Sequence, residues 1–285
     1  MEIEFTEENI NKLFGSEAAE DETFERLQSY YFKSNTHDKV VADLPLRILV
    51  GHKGIGKSAL FKIAMNEDLT KGRLPILVKP DDIADLAYNS QDFHQIIRDW
   101  KRGLQIIIAQ KVMNSYGISA DPGFLDKLKG YSGKFMSFIT ETSKKFLDEY
   151  VDLESSKKAL VSNFLKNKKI IIYIDDLDRG WQSKKEDITR ISALLNAVRD
   201  MSNDNEGLHF RISLRSDVYY LVRTSDESTD KIESSVVWHS WNNHEILLLL
   251  IKRIQTFLNK DFNVDNLRKL EQFRLSYYLN NVFEE

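Results

Sequence analysis

Eight residues, Gly51-His52-Lys53-Gly54-Ile55-Gly56-Lys57-Ser58, match the pattern G-x-x-x-x-G-K-[ST] at every fixed position. These residue types suit the holding of a phosphate. Glycine lets the backbone turn back and point successive N–H groups inward, so a nest of donors forms with no side chain in the way. The apolar run Pro45–Val50 before the loop reads as a short buried strand, and Lys57–Met65 after it as a helix. The nest then sits on a helix N-terminus, whose free N–H groups and dipole favour an anion. On this reading Gly51 to Ala59 form the binding loop, Lys57 reaches the β- and γ-phosphates, and the Ser58 hydroxyl ligates Mg²⁺. His52 and Lys53 read as solvated loop positions, with Lys53 a weaker candidate for touching phosphate. The alternative is a plain glycine turn with a surface lysine, which the full match in its expected context disfavours.

The second chemical signal is "IIIYIDDLDR", Ile170 to Arg179. Ile170–Ile174 is apolar at consecutive positions and rich in β-branched residues, the mark of a strand covered on both faces. Ligands of a parallel sheet bind at the carboxyl ends of its strands, and there Asp175 and Asp176 emerge. If the strand breaks at this point, the two acids can differ in role. Asp175 would hold Mg²⁺, mostly through water, and Asp176 would position or deprotonate the attacking water. The alternative is that both acids cap the following helix. Asp178 and Arg179 read as structural partners of each other or of neighbours. Arg215, just past the apolar strand Leu208–Leu214, has two open readings. It offers a γ-phosphate a fixed charge and a matching fork, or it makes a surface salt bridge. Ser213 and Asp217 are weaker candidates, and Asp217 is more simply a first-turn acid of the next helix.

Strands are expected at Pro45–Val50, Leu74–Pro80, Ile170–Ile174, Leu208–Leu214 and Ser235–Trp241. Helices are expected at Ile188–Met201, at Asp217–Val222, and from near Asn243 with Glu245 in the first turn. Strands alternating with helices imply crossover connections and a mainly parallel sheet. This gives a helical lead-in over 1–44, an α/β core over 45–242 with a helical insertion at about 90–166, broken at Tyr116–Phe124, and a helical segment over 243–285.

With 285 residues, 42% hydrophobic and 29% charged, the chain can bury a sizeable core without staples. The absence of cysteine excludes disulfides, thiolate metal sites and a thiol nucleophile. The acidic N-terminus is unlike a signal peptide. The apolar runs Ile246–Ile251 and Leu104–Ala109 are far too short to span a membrane, so a cytoplasmic protein is expected. The net charge of −4 gives no global pull toward nucleic acid. Locally, lysines from Lys127 to Lys169 interleave with Phe124, Tyr131, Phe135, Phe138 and Phe146, as a nucleic-acid face would have them. Asp126, Glu141, Asp148, Glu149, Asp152 and Glu154 dilute that stretch, and solvated amphipathic helices explain the blend more simply.

The phosphate loop, the strand end "IDDLDR", the opening "FGSEAAEDETFERLQSYYF" (Phe14–Phe32) and the "LRSD" segment (Leu214–Asp217) together resemble the KAP and STAND groups of P-loop ATPases. These belong to the additional-strand division that includes AAA+ proteins, and the likeness extends to an uncharacterised set of bacterial P-loop ATPases. The resemblance implies a three-layer sandwich with a five-stranded sheet ordered 5-1-4-3-2. It also implies ATP as ligand and a regulated switch or oligomeric ATPase. Many such relatives act in bacterial conflict with phages beside a toxic effector. The chain lacks the membrane segments of many KAP proteins and ends before any repeat sensor, so an effector or sensor would be a separate chain or a missing C-terminal part. No N/T-K-x-D segment for guanine is found, which also favours ATP. Adenine would lie against residues preceding the loop, with Phe14, Tyr30 or Tyr31 as candidates, unless these aromatics are plain core. Self-assembly is expected, because active sites in this division often form between subunits; Arg179, Arg190 and Arg223 are candidates for a charge acting in trans. Two other functions are compatible with the sequence: an assembly scaffold that binds nucleotide with little hydrolysis, and a DNA-stimulated ATPase.

Overall fold

A β-branched apolar run needs cover on both faces, and Ile170–Ile174 is buried at every position. It lies inside a sheet in the computed structural model, which describes residues 5–16, 19, 21–84, 86, 92–118, 123–124, 127–128, 134–149, 154–180, 182–225, 227–260 and 264–282. Helices α1 (Glu7–Phe14), α2 (Phe24–Tyr30) and α3 (Asn35–Val41) precede β1 (Leu46–Gly51). Then follow α4 (Lys57–Thr70), β2 (Leu74–Val78), α5 (Pro80–Ile83), α6 (Phe93–Ser115), α7 (Phe135–Glu149), α8 (Ser155–Asn167) and β3 (Ile170–Ile174). The chain continues through α9 (Lys185–Asp204), β4 (Leu208–Arg215), α10 (Ser216–Ser225), a 3₁₀ turn over Glu227–Ser235 and β5 (Val236–Trp238). It closes with α11 (Asn243–Leu258), α12 (Val264–Leu267), α13 (Gln272–Ser276) and a short 3₁₀ turn.

All pairings in the five-stranded sheet are parallel. The order is β2-β3-β4-β1-β5, or 5-1-4-3-2 read from the opposite edge. Parallel neighbours need a crossover, which helices supply here, so the fold is α/β and compatible with a three-layer sandwich.

The last strand is shorter than its apolar pattern suggests, covering Val236–Trp238 and not Ser235–Trp241. Ser235 closes the preceding 3₁₀ turn. At the other end, Trp238 pairs with Val50, one residue before β1 itself ends, so a longer strand would soon have no ladder to join. Strand β2 stops at Val78 because Pro80 lacks an amide hydrogen and opens α5 instead. The loop helix exceeds its expected length, reaching Thr70 and not Met65. The expected helical insertion is present as α6, α7 and α8, and α6 ends at Ser115, ahead of the left-handed Gly117. Lys129, Tyr131, Asp126 and Asp152 of the lysine-rich stretch lie outside the described residues. Its Phe135, Phe138 and Phe146 are core residues, leaving them no open face for a base.

The chain divides into two compact units. One comprises Ala42–Lys53 and Ala64–Trp238 and holds the sheet. Here α6 is locked to α9: the Trp100 indole N–H donates to the Arg190 carbonyl at 3.1 Å, and the Arg190 guanidinium lies over the Trp100 ring. Arg211, 1% exposed, donates to the carbonyls of Ala42, Leu44 and Phe210. Burying that charge is tolerable only because its donors are largely occupied. Tyr173 of β3 donates to Asp68 of α4 at 2.6 Å, two residues before Asp175. This buried bond ties the strand that ends in the acids to the far end of the loop helix.

The other unit comprises Met1–Val41, Gly54–Ile63 and His239–Glu285. Its axis is α11, which starts at Asn243 as expected and is opened by a reciprocal cap: the Asn242 side chain accepts from the Glu245 N–H, and Glu245 accepts from the Asn242 N–H. One face of α11 buries Leu248 and Ile251 with Phe32, Leu267 and Leu275, and Ile254 packs with Leu13 and Val282. Each fully buried Leu or Ile contributes roughly 1.5–3 kcal/mol, so the N- and C-terminal helices hold each other. Among the described residues no helix is long and apolar enough to cross a membrane.

Candidate functional site

The loop takes its shape from its glycines. Strand β1 ends on buried Gly51, and α4 begins at Lys57. Between them Gly54 has φ +78° and Gly56 has φ +102°. A Cβ added at either would meet nothing within 4 Å, so glycine is required by the dihedral and not by space. Lys57 and Ser58 are the first two residues of a 14-residue helix with no acid in its first turn, so that turn itself carries no carboxylate against the N-terminal dipole. The Ser58 hydroxyl has no hydrogen-bond partner among the described residues.

Register aligns the carboxyl ends of the strands. Gly51 is the ladder partner of Arg215, and Ile174 that of Ile212, so the loop entry, the acids after β3 and the end of β4 leave one edge of the sheet. His52 is exposed, as expected of a solvated loop position, but its Nδ1 lies 3.1 Å from Ser216 Oγ, a bond that pins the loop entry to the start of α10. The two residues lie 164 positions apart in the chain, and no local pattern signals their pairing. Lys53 is exposed.

At the end of β3 the chain does break. Asp175 Oδ1 accepts from the Asp176 N–H at 3.0 Å and from the Ser213 hydroxyl, while Oδ2 has no partner among the described residues. Ser213 therefore orients Asp175, a firmer role than its sequence suggested. Asp176 is exposed at φ +58°, a left-handed conformation that costs a non-glycine residue about 1–2 kcal/mol and that Asp tolerates better than most. Asp178 does not pair with Arg179 but lies 3.4 Å from Arg215. Arg215 also donates to both oxygens of Asp217, at 3.0 and 2.6 Å, so the salt-bridge reading describes its present geometry. Asp217 stands in the first turn of α10. Its carboxyl is held below the usual value by Arg215, against the opposing effect of burial. Of the remaining arginines, Arg179 is exposed, Arg190 is turned onto Trp100, and Arg223 pairs with Glu233 at 2.8 Å.

Among the described residues no group of three or more His, Cys, Asp and Glu side chains could hold a metal. Magnesium keeps several waters and arrives with phosphate, so it needs few protein ligands.

The unit that contains the loop's glycines also holds a cavity of about 190 Å³, lined by Tyr30, Tyr31, Phe32, Gly54, Ile55, Gly56, Ala59, His239, Trp241 and Arg253, with Leu27 and Leu249. Tyr30 and Tyr31 were expected near a base; Phe14 is not among the lining residues and is 38% exposed. Tyr30 also belongs to a small core cluster with Leu27 and Ile63, so the plain-core reading holds for part of its ring. The Trp241 indole N–H donates to the Ile55 carbonyl at 3.0 Å, and the His239 ring lies 5.2 Å from that of Trp241. His239 is 4% exposed and its Nδ1 has no hydrogen-bond partner. Burial, and then the Lys57 ammonium, push its pKa down to about 4, against a hydrogen bond to the Ile55 backbone. The Arg253 guanidinium lies 4.4 Å over the Tyr30 ring, and its Nη1 is buried without a partner. His239, Trp241 and Arg253 carry no sequence motif. Compared with known proteins, the chain matches no family model, no curated protein and no solved structure.

Proposed function

We propose that the protein is a P-loop ATPase of the KAP/STAND-like group, binding MgATP on Gly51–Ala59 and hydrolysing it. The observation that carries this reading is the loop itself: two glycines at positive φ between a buried parallel strand and the N-terminus of α4, with Lys57 and Ser58 opening that helix. A turn built only to change direction needs neither the lysine nor the serine. In the reaction, the loop amides and Lys57 hold the β- and γ-phosphates, and the Ser58 hydroxyl takes the metal. Asp175, oriented by Ser213, would help to hold Mg²⁺. Asp176 orients the attacking water and accepts its proton as the bond to the γ-phosphorus forms and the bond from that phosphorus to the β,γ-bridging oxygen breaks, with ADP as the leaving group. Arg215 exchanges its carboxylate partners for the γ-phosphate. Mg²⁺, when bound, neutralises the charge that develops on the phosphate oxygens.

Hydrolysis of this kind drives a switch: the protein assembles with its own copies or gates a separate effector, in bacterial defence against phages. That wider role rests on the resemblance of the loop, the "IDDLDR" strand end and the "LRSD" segment. Purified protein should release phosphate from ATP slowly and only with Mg²⁺, and Lys57→Ala should abolish release. Undiminished turnover in Lys57→Ala refutes the assignment. Light scattering with and without a non-hydrolysable ATP analogue tests assembly; a monomer in both conditions counts against the switch.

A further inference from the structure

The cavity beside Gly54–Gly56 is too small for a whole nucleotide and has the wrong chemistry for a purely apolar guest. Pockets for drug-sized ligands run to about 300–1,000 Å³, whereas this one measures about 190 Å³. That suits one flat ring system, with any sugar and phosphates outside it along the loop. Its aromatic walls can stack a base.

Two lining residues carry a buried polar atom without a partner, His239 Nδ1 and Arg253 Nη1. Leaving such atoms buried and unsatisfied is costly, and a ligand group that completes them recovers that cost. Their types are opposite. The Arg253 nitrogen can only donate. The His239 ring is neutral near pH 7, and its other nitrogen is engaged with the Ile55 backbone. A hydrogen bond that favours the charged form of a histidine is one the ring donates, so Nδ1 is left as an acceptor.

We propose that this cavity is a base-selecting pocket in which His239 Nδ1 accepts a hydrogen bond from the 6-amino group of adenine while Arg253 donates to a ring nitrogen. The assignment rests on the ATPase reading and deepens it by naming the residue that selects the base. Adenine places an amino donor beside a ring-nitrogen acceptor, the complement of the two unsatisfied atoms. Guanine and hypoxanthine put a carbonyl oxygen where the amino group stands, setting one lone pair against another. Trp241 and His239 both bond to Ile55, so the residues that read the base also fix the loop that reads the phosphates.

The test compares ligands first and variants second. Calorimetry on the unmodified protein should show ATP binding about 10- to 100-fold tighter than purine riboside triphosphate, which lacks only the 6-amino group, and tighter than GTP by at least as much. In His239→Phe, which keeps a flat ring but no acceptor, the ratio of ATP to purine riboside triphosphate affinity should fall toward unity. A ratio is read because general weakening of the loop through Ile55 cancels from it. Equal binding of ATP and purine riboside triphosphate by the unmodified protein overturns this proposal and leaves the ATPase reading standing, and so does a ratio retained in His239→Phe. If His239→Phe does not fold, the ligand series alone decides. Failure of both ATP and inorganic tripolyphosphate to bind overturns the two together.

Discussion

Replacing Gly56 by alanine tests the loop where its physics is simplest. The φ of +102° lies well beyond the left-handed basin near about +57° that L-residues occasionally enter. Because the new methyl would meet nothing within 4 Å, no clash contributes and the whole effect is backbone strain. Strain of this kind costs on the order of 1–3 kcal/mol, and a φ this far from the basin belongs near the top of that range, about 2–3 kcal/mol. At Gly54, with φ +78°, the same change should cost about 1–2 kcal/mol. Where the cost appears depends on how stiff the surroundings are. If they hold the loop in shape, Gly56→Ala unfolds more easily and binds MgATP as before. If the loop relaxes, the fold is as stable as before and MgATP binds roughly 30- to 150-fold more weakly. In both cases the bound, folded protein is destabilised by the same total relative to the unfolded chain. Urea unfolding with and without saturating MgATP, combined with calorimetry, measures that sum. Gly207→Ala is the control: its methyl would lie 2.1 Å from the Lys168 carbonyl oxygen, so it should lower stability and leave the affinity of the folded protein unchanged. A sum for Gly56→Ala within about 0.5 kcal/mol of zero, the usual scatter of harmless substitutions, would refute the argument that the dihedral demands glycine.

Further outcomes follow from the same geometry. Asp176→Asn keeps the side chain's size at an exposed position, so MgATP should bind with unchanged affinity while turnover falls about 100-fold or more; full turnover in a phosphate-release assay would remove Asp176 from the chemistry, and lost function alongside intact assembly would separate a hydrolytic switch from a scaffold. Acid should weaken the fold through His209, 8% exposed, whose pKa is pushed to about 4 by burial first and then by Arg211, with Lys169 and Arg73 adding to the effect and Asp43 opposing it. Because the unfolded chain takes up that proton near pH 6.5 and the folded chain only near 4, this stability is complete above the higher value and is lost as pH falls between the two. The loss should be roughly 2 kcal/mol from pH 7 to pH 5. His209→Gln should flatten the pH profile of chemical denaturation by that amount, and a variant profile parallel to that of the unmodified protein would contradict the sign.

What the sequence made legible was what depends on neighbours along the chain. Ile170–Ile174 announces a strand buried on both faces because five consecutive apolar side chains cannot alternate between core and water. The glycines at 54 and 56 announce a sharp backbone turn because few other residues take those dihedrals, and Glu245 announces the first turn of a helix starting near Asn243. Features set by pairing across the chain were not legible. The length of β5 depends on where β1 ends, and β1 ends because its last residue belongs to the loop, so the apolar pattern of Ser235–Trp241 overstates the strand. His52 looks merely solvated along the chain because its partner, Ser216, lies 164 positions away. The aromatic candidates show the division most clearly. Tyr30, Tyr31 and Phe14 had equal claims by composition, and only the fold separates two residues lining the cavity from one that does not. His239 had no claim at all: one histidine after an apolar run is ordinary core. It becomes chemically significant only when burial keeps it neutral, Ile55 takes one nitrogen and nothing takes the other. A motif can specify a phosphate loop because every phosphate asks the same of a backbone. The cavity beside the loop is lined by residues that converge from positions 30, 55, 239 and 253, and no spacing rule connects those positions.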